Sequence, residues 1–340
     1  MRIVVLMGGD STEREISLKT GHKVAKALEE NGHQVIKIDP IATKEEQTRL
    51  NESDRHWLGI EYPDMDMTPL HRGSMFLKNI LVIKRLKPEL VFIALHGGKG
   101  ENGVVQGMLD AAEIPYTGSG RIASTLAMEK DISKLYFKNA KLRTPKAVVL
   151  ERPDASRKKL KKVDYPQVVK PNDQGSTIGL KIVHNHQEMM EAIDHAFTLS
   201  PRVIVEEFIE GREITVGIIK NRVFPIVEII PQHEVFDYDC KYKNGLSQYQ
   251  VPAKLDEETT RLAQKIALKA HNVLGCYGYS RVDLRLPKDG EPYVLEVNTL
   301  PGLTEHSLLP MACEHAGVNY NAMIEMIVEE AINKPKLPVG

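Results

Sequence analysis

Four side chains in the last quarter of the chain carry the most chemistry: Arg281, Asp283, Glu296 and Asn298. They lie in two alternating runs, SRVDLRL and EPYVLEVN, joined by PKDG, and Asp-Gly between such runs is a strong hairpin signal. A turn symmetric about Asp289-Gly290 sets Asp283 opposite Glu296 and Arg281 opposite Asn298 on one face, with Val282, Leu284 and Leu286 on the other. Two facing acids and an amide make an oxygen-only ligand set suited to Mg²⁺ or Mn²⁺. A slip of one residue would undo it. The same alternation also serves a solvent-exposed hairpin face, where mixed charges are routine. The continuation NTLPGLTEHSLLP weighs toward a metal, because its Pro301-Gly302 turn offers backbone N–H groups beside the acids and Thr304 and Ser307 supply hydroxyls. Together these residues point to metal-bound phosphate next to an anion hole.

A second chemical signal is Lys170 at the end of a strand-like run, followed by PNDQGSTIG, whose Gly175, Ser176, Thr177 and Gly179 could wrap polyphosphate with amides and hydroxyls. A strand lysine can equally be surface charge. The loop lacks the GK[ST] of a Walker A motif, and neither HGGKGENG nor GGDSTERE is GxGxxG, so a dinucleotide fold gains little support.

These groups need elements to hold them. Ile3–Met7 is a short apolar run ending at Gly8-Gly9, with a helical pattern (Leu18, Ala25, Leu28) after it, and Val35–Ile38 and Leu90–Leu95 are further strands. Residues 1–120 therefore read as a parallel α/β layer with ligand sites at the strand C-termini. The weakly periodic segment 41–78, with Trp57, reads as an irregular excursion. Gln167–Pro171 and Ile178–Val183 are strands around the glycine loop, and Asn185 with Glu188 starts a helix like a capping box, giving an antiparallel module over 121–205. The third part, 206–340, is strand-rich and holds a helix from about Asp256 to Leu274, stopped by Gly275.

Composition bounds the function. A chain of 340 residues is too long for one core and should divide into domains, while 42% hydrophobic and 27% charged residues fit a soluble globular protein. Forty-five Lys+Arg against 46 Asp+Glu, a net charge of -1, leaves no excess positive field for nucleic acid. Cys240, Cys276 and Cys313 lack CxxC spacing, supporting neither a disulfide framework nor zinc. With no secretory h-region and no apolar run of membrane-spanning length, a cytoplasmic chain without membrane partners is expected.

The motifs GGDSTEREIS (8–17), LHGGKGENGVVQGMLDAAEIPYTGSG (95–120), MEKDISK (128–134), VVKPNDQGSTIG (168–179), VEEFIEGREITVGI (205–218), FDYDCKY (236–242), SRVDL (280–284) and LEVNTLPGLTEHSLLP (295–310) together resemble the D-alanine–D-alanine ligases of the ATP-grasp superfamily. The similarity spans nearly the whole chain, in order. It implies a multidomain α/β and α+β protein with an ATP-grasp fold behind an N-terminal parallel α/β domain. By that resemblance, ATP phosphorylates one D-alanine carboxylate and the amine of a second D-alanine attacks the acyl phosphate.

The resemblance assigns roles residue by residue. Lys130, Lys170 and Lys241 contact phosphates, while Glu206, Ile209 and Glu213 take the adenine amino group, ring and ribose. Asp283, Glu296 and Asn298 hold two Mg²⁺ (or Mn²⁺) ions. Arg281 and a backbone N–H near Gly302 stabilise the oxyanion. Glu13 binds the first ammonium and joins Ser176 and Tyr242 in a network closing a loop over the site. His96 lies near the first carboxyl group, and Ser307 with the Leu308 N–H takes the second carboxylate. A homodimer is also implied. Three positions depart from the family pattern: Asn102 for Asp, Thr177 for Ser, and Glu207 where lysine is common. D-lactate or D-serine as second substrate, or a nucleotide-binding regulator without turnover, are the competing readings; Lys241 and Tyr242 in DYDCKY favour the dipeptide over the depsipeptide.

Overall fold

The computed structural model describes residues 1–51, 72–151, 160, 163–231, 247–288 and 290–334; Trp57, Cys240, Lys241, Tyr242 and Asp289 lie outside the described residues. Three sheets organise the described residues. β1 (Arg2–Leu6), β2 (Gln34–Ile38) and β3 (Leu90–Ile93) are parallel in the order β2-β1-β3. Their near-continuous apolar runs follow from cover on both faces, with Ile3–Leu6 and Leu90–Ile93 at most 1% exposed. α1 (Arg14–Glu30) buries Val24, Ala25 and Leu28 on this layer.

The segment expected to be irregular is partly helical. α2 (Lys44–Leu50) is started by a capping box in which the Thr43 side chain accepts the Glu46 N–H and Glu46 accepts the Thr43 N–H. α3 (Arg72–Leu86) buries Phe76, Ile80 and Ile83, spaced at helical intervals, in the same core as the parallel sheet. After β3 come α4 (Gly98–Glu101), α5 (Val104–Ala111), α6 (Arg121–Met128) and α7 (Lys130–Asn139).

The second sheet is antiparallel: β4 (Ala147–Glu151), β5 (Gln167–Pro171), β6 (Lys181–Val183) and β7 (Arg202–Glu207) in the order β4-β7-β5-β6. β6 is shorter than expected, because the Ile178 N–H turns back to the Gly175 carbonyl and the Leu180 N–H to that of Thr177. α8 (His186–Leu199) packs on it, capped by Asn185 accepting the Glu188 N–H at 3.0 Å.

The third sheet contains β8 (Arg212–Ile219), β9 (Arg222–Val223), β10 (Val227–Pro231), β11 (Ser247–Gln250), β12 (Tyr279–Leu286) and β13 (Tyr293–Asn298). Its order is β11-β10-β8-β12-β13, with β9 on β8. α9 (Glu257–Val273), capped by Asp256, covers one face through Ala263, Ala267 and Ala270. α10 (Leu308–His315) and α11 (Tyr320–Ile332) then return to the core of the parallel sheet, which brings the end of β13 against the end of β1.

The hairpin differs from the expected one in an informative way. Arg281 faces Asn298 and Asp283 faces Glu296, but Leu284 faces Val294 and Arg285 faces Tyr293, leaving Leu295 unpaired. The Gly290 N–H bonds the Pro287 carbonyl at 3.0 Å, so the turn is not symmetric about Asp289-Gly290. The strands leave that turn one residue out of the expected register, and a bulge at Leu295 restores it.

Candidate active site

Two clefts meet at the edge of β13. The first, about 900 Å³, lies between the second and third sheets. Its walls are apolar where β5, β6 and the 207–209 segment contribute Val168, Ile182, Phe208 and Ile209, and charged where Lys130, Lys170, Glu206 and Glu213 enter. Such a slot suits a flat heterocycle at one end and an anion at the other. Glu206, 2% exposed, is clamped between two lysines: Lys134 Nζ lies 2.6 Å from Oε2 and Lys170 Nζ 2.5 Å from Oε1. Burial pushes the Glu206 carboxyl up, but Lys170 and Lys134 outweigh it and hold the group below the usual carboxylate range. Burial likewise brings Lys134 down to about 8. Glu213 pairs with Arg285 at 3.4 Å. Glu207, at the departure position, accepts the Lys146 backbone N–H at 2.9 Å.

The second cleft, about 650 Å³, lies between the C-terminal ends of the parallel strands and β13, lined by Glu13, His96, Glu101, Ser176, Arg281, Asn298 and Gly302 among others. Glu13 occupies the N-cap position of α1 yet does not cap it; instead its carboxylate accepts the Ser176 hydroxyl. Gly97 is required here: its φ is +65, and a Cβ would stand 2.7 Å from Glu13 Oε2. His96 Nε2 lies 3.0 Å from Thr20 Oγ1, and Nδ1 lies 3.8 Å from Glu101. Burial, with Glu13 nearby, raises the Glu101 carboxyl. Gly302 admits the Ser307 side chain, whose Oγ would lie 2.8 Å from a Cβ there. The Ser307 Oγ accepts the Thr304 N–H at 3.0 Å, at the start of α10, where Leu308 is the first residue. Ser307 and Leu308 thus adjoin Gly302, through which they border the cleft.

Both clefts share Lys130 and Glu296. Lys130 Nζ donates to the Gln174 carbonyl at 2.7 Å and lies 3.6 Å from Glu296 Oε2; burial lowers its pKa. On β12, Asp283 receives Arg281 Nε at 2.9 Å and Nη2 at 2.7 Å, and Thr215 Oγ1 at 2.5 Å. Asn298 Oδ1 accepts the Leu300 N–H. Asp283, Glu296 and Asn298 each carry an oxygen acceptor on paired positions of the hairpin, a donor set that fits a hard divalent cation completing its shell with phosphate oxygens. Among the described residues no three His, Cys, Asp or Glu side chains converge on a metal position, so a cation here would rest on two acids and one amide.

Sequence reasoning passed over Lys134 and Glu101. Lys134 was findable, since it lies four residues after Lys130 and shares its helix face. Glu101 sits in a glycine-rich stretch with no periodic signal, and only the fold brings it beside His96.

The chain matches the family model described as D-ala D-ala ligase N-terminus over residues 2–119, and that described as D-ala D-ala ligase C-terminus over residues 136–329. It is 42% identical over 329 residues to a D-alanine–D-alanine ligase of Aquifex aeolicus (strain VF5), covering 96% of this chain and 100% of that one. The solved D-alanine–D-alanine ligase from Bacillus anthracis matches with a TM-score of 0.79 at 33% identity, covering 98% of each chain. The same enzyme complexed with ATP matches with a TM-score of 0.76 at 32% identity, covering 98% of this chain and 97% of that one. The parallel three-stranded layer followed by two antiparallel sheets is the ATP-grasp architecture of those ligases. Sequence and fold agree from end to end, and the chain belongs to the D-alanine–D-alanine ligase family.

Proposed function

We propose that this chain joins two D-alanine molecules into D-alanyl-D-alanine with conversion of ATP to ADP and phosphate, supplying a precursor of peptidoglycan. The observation that carries the mechanism is the pair of adjoining clefts with Lys130 and Glu296 at their junction, where a terminal phosphate and a carboxylate would meet. Adenine lies between the apolar walls with Glu206 at its amino group, the Ile209 backbone on the ring and Glu213 on the ribose. Lys130, Lys170 and Lys241 take the phosphates as point charges. Asp283, Glu296 and Asn298 would hold two Mg²⁺ or Mn²⁺ ions, which when bound supply charge neutralisation for the phosphates.

Glu13 holds the ammonium of the first D-alanine and His96 lies near its carboxyl group. A carboxylate oxygen attacks the γ-phosphorus, and ADP leaves with the bonding electrons. The amine of the second D-alanine, its carboxylate held by Ser307 and the Leu308 N–H, then attacks the acyl carbon. Arg281 and the Gly302 N–H hold the oxyanion, a donor set whose members are each worth ~2.7–4 kcal/mol in comparable sites. Collapse breaks the acyl C–O bond and expels phosphate, which takes up the proton that the attacking nitrogen gives up. Ser176 and Tyr242 close the loop over Glu13 and keep water from the acyl phosphate.

Residues 1–120, 121–205 and 206–340 serve as the amino-acid, central and metal-bearing domains. A cytoplasmic homodimer without nucleic-acid or membrane partners completes the reading; among the described residues no helix is long and apolar enough to cross a membrane. The test is incubation with ATP, Mg²⁺ and a panel of D-amino acids, reading phosphate and identifying the product by mass. Phosphate release no higher with D-alanine than without it would refute the proposal.

A further inference from the structure

Asn172 follows β5, is fully buried and has every polar atom of its side chain engaged. Its Oδ1 accepts the Asp131 N–H at 2.9 Å, and its Nδ2 donates to Glu129 Oε2 at 2.6 Å and Asp131 Oδ1 at 2.8 Å. Its carbonyl accepts the Lys130 N–H at 3.3 Å, and its own N–H bonds the Arg202 carbonyl. Arg202 closes the cluster by forking to Asp131, 2.5 Å away, and to Glu129. Glu129 stands at the N-cap of α7 without capping it, so the Asp131 N–H at the helix start finds its acceptor in Asn172, from the segment that follows β5.

The consequence concerns two lysines. Lys130 is the first residue of α7, and Lys170 lies two residues before Asn172 on β5. Neither is adjacent in sequence to the other, yet both line the nucleotide cleft. Asn172 is the side chain that bonds one backbone to the other at that point.

We propose that Asn172, braced by Arg202, is a positioning residue that fixes Lys130 relative to Lys170 and so sets the phosphate-binding geometry of the nucleotide cleft. This rests on the nucleotide-binding reading above. Asn172 touches no substrate; it acts through Lys130. A buried amide suits the task, because one group must accept from a helix N–H while donating to two acids. Aspartate has the shape but no donors, and would put a third carboxylate against Glu129 and Asp131.

The test is calorimetry with a non-hydrolysable ATP analogue and with AMP, in Mg²⁺ buffer, on the full chain. For Asn172→Ala the analogue Kd should rise about tenfold, the scale of one hydrogen bond to a charged group, while the AMP Kd stays unchanged. Asn172→Asp should lose more than Asn172→Ala, and Arg202→Gln should reproduce the same split between the two nucleotides, which guards against one variant failing to fold. In a Lys130→Met background, Asn172→Ala should weaken the analogue no further, because both changes remove one interaction. Equal weakening of analogue and AMP, or multiplying effects in the double variant, would show a merely structural role and overturn the inference. Wild-type protein that binds neither nucleotide would overturn the functional reading itself, and this inference with it.

Discussion

The Glu206 clamp allows its strength to be worked from the structure. Glu206→Gln keeps the side-chain volume and removes one charge, leaving Lys134 and Lys170 buried without their counter-ion; the lysine side chains are only 4% and 9% exposed. At an effective dielectric near 20, each contact at about 2.5 Å is worth ~6–7 kcal/mol before desolvation. Desolvation offsets several kcal/mol per ion, and breaking such a buried pair costs about 3–5 kcal/mol net. We expect a loss in that range in urea unfolding at about pH 6. The pH dependence follows from Lys134, which burial lowers from the ordinary lysine value of 10.5 to about 8 against the upward pull of Glu206. A lysine with a depressed folded pKa binds its proton more tightly when unfolded, so its contribution to stability rises with pH from the folded pKa toward 10.5. Without Glu206 the folded pKa falls further, so the variant begins to regain stability at lower pH than the wild type. The gap between the two proteins should therefore narrow between about pH 6 and about pH 9.5. A loss under ~1 kcal/mol at the lower pH, as for an exposed pair, or a gap that widens at the higher one, would refute the clamp.

Three further outcomes are expected. Glu296→Gln should abolish turnover and weaken its Mg²⁺ dependence, whereas Glu291→Gln, whose side chain is 56% exposed and pairs with Arg143 away from the acids, should do neither; equal effects in phosphate-release assays would undo the hairpin assignment. Gly97→Ala would push a methyl against Glu13 at a left-handed position, with strain of ~1–2 kcal/mol, and should raise the KM for D-alanine about tenfold with that for ATP unchanged. A normal D-alanine KM in that variant would mean that Glu13 is not set by the Gly97 backbone. Lys134→Met should flatten the stability profile between about pH 8 and 10.5, where the wild type gains up to ~1.4 kcal/mol per pH unit from this lysine; identical slopes would place its titration elsewhere.

Where chemistry is local, the sequence was readable. Asp256 and Gly275 bracket α9, and Asn185 starts α8, because caps and breakers act within a few residues. The Thr43–Glu46 capping box was equally local and went unread, since weak apolar periodicity over 41–78 outweighed it; the helix itself buries little besides Gln47. The contacts that build the clefts belong to another class. Ser176 meets Glu13 across 163 residues, and Asn172 meets Glu129 across 43. No spacing rule reaches that far, so the resemblance had to supply the partners, and it named neither Asn172 nor Lys134.

The hairpin shows how a right answer can come through a wrong turn. A symmetric turn at Asp289-Gly290 would give the observed partners for Arg281 and Asp283 without a bulge, but the turn bonds Pro287 to Gly290 and shifts the strands by one residue. With that shift carried through, Asp283 would face Leu295, and the acid at 296 would change faces. The extra residue at Leu295 cancels the shift before the strand reaches Glu296. Turn and bulge are therefore coupled. Parity at Glu296 depends on the bulge absorbing one residue between the turn and the acids. With Leu295 deleted, Val294 would precede Glu296 directly, as Leu284 follows Asp283, so that variant should keep Asp283 opposite Glu296 and retain its Mg²⁺ dependence; loss of that dependence would undo the bulge assignment. The acid spacing identified a required face because the chemistry constrains the strand ends, while the path through the turn was left free to vary.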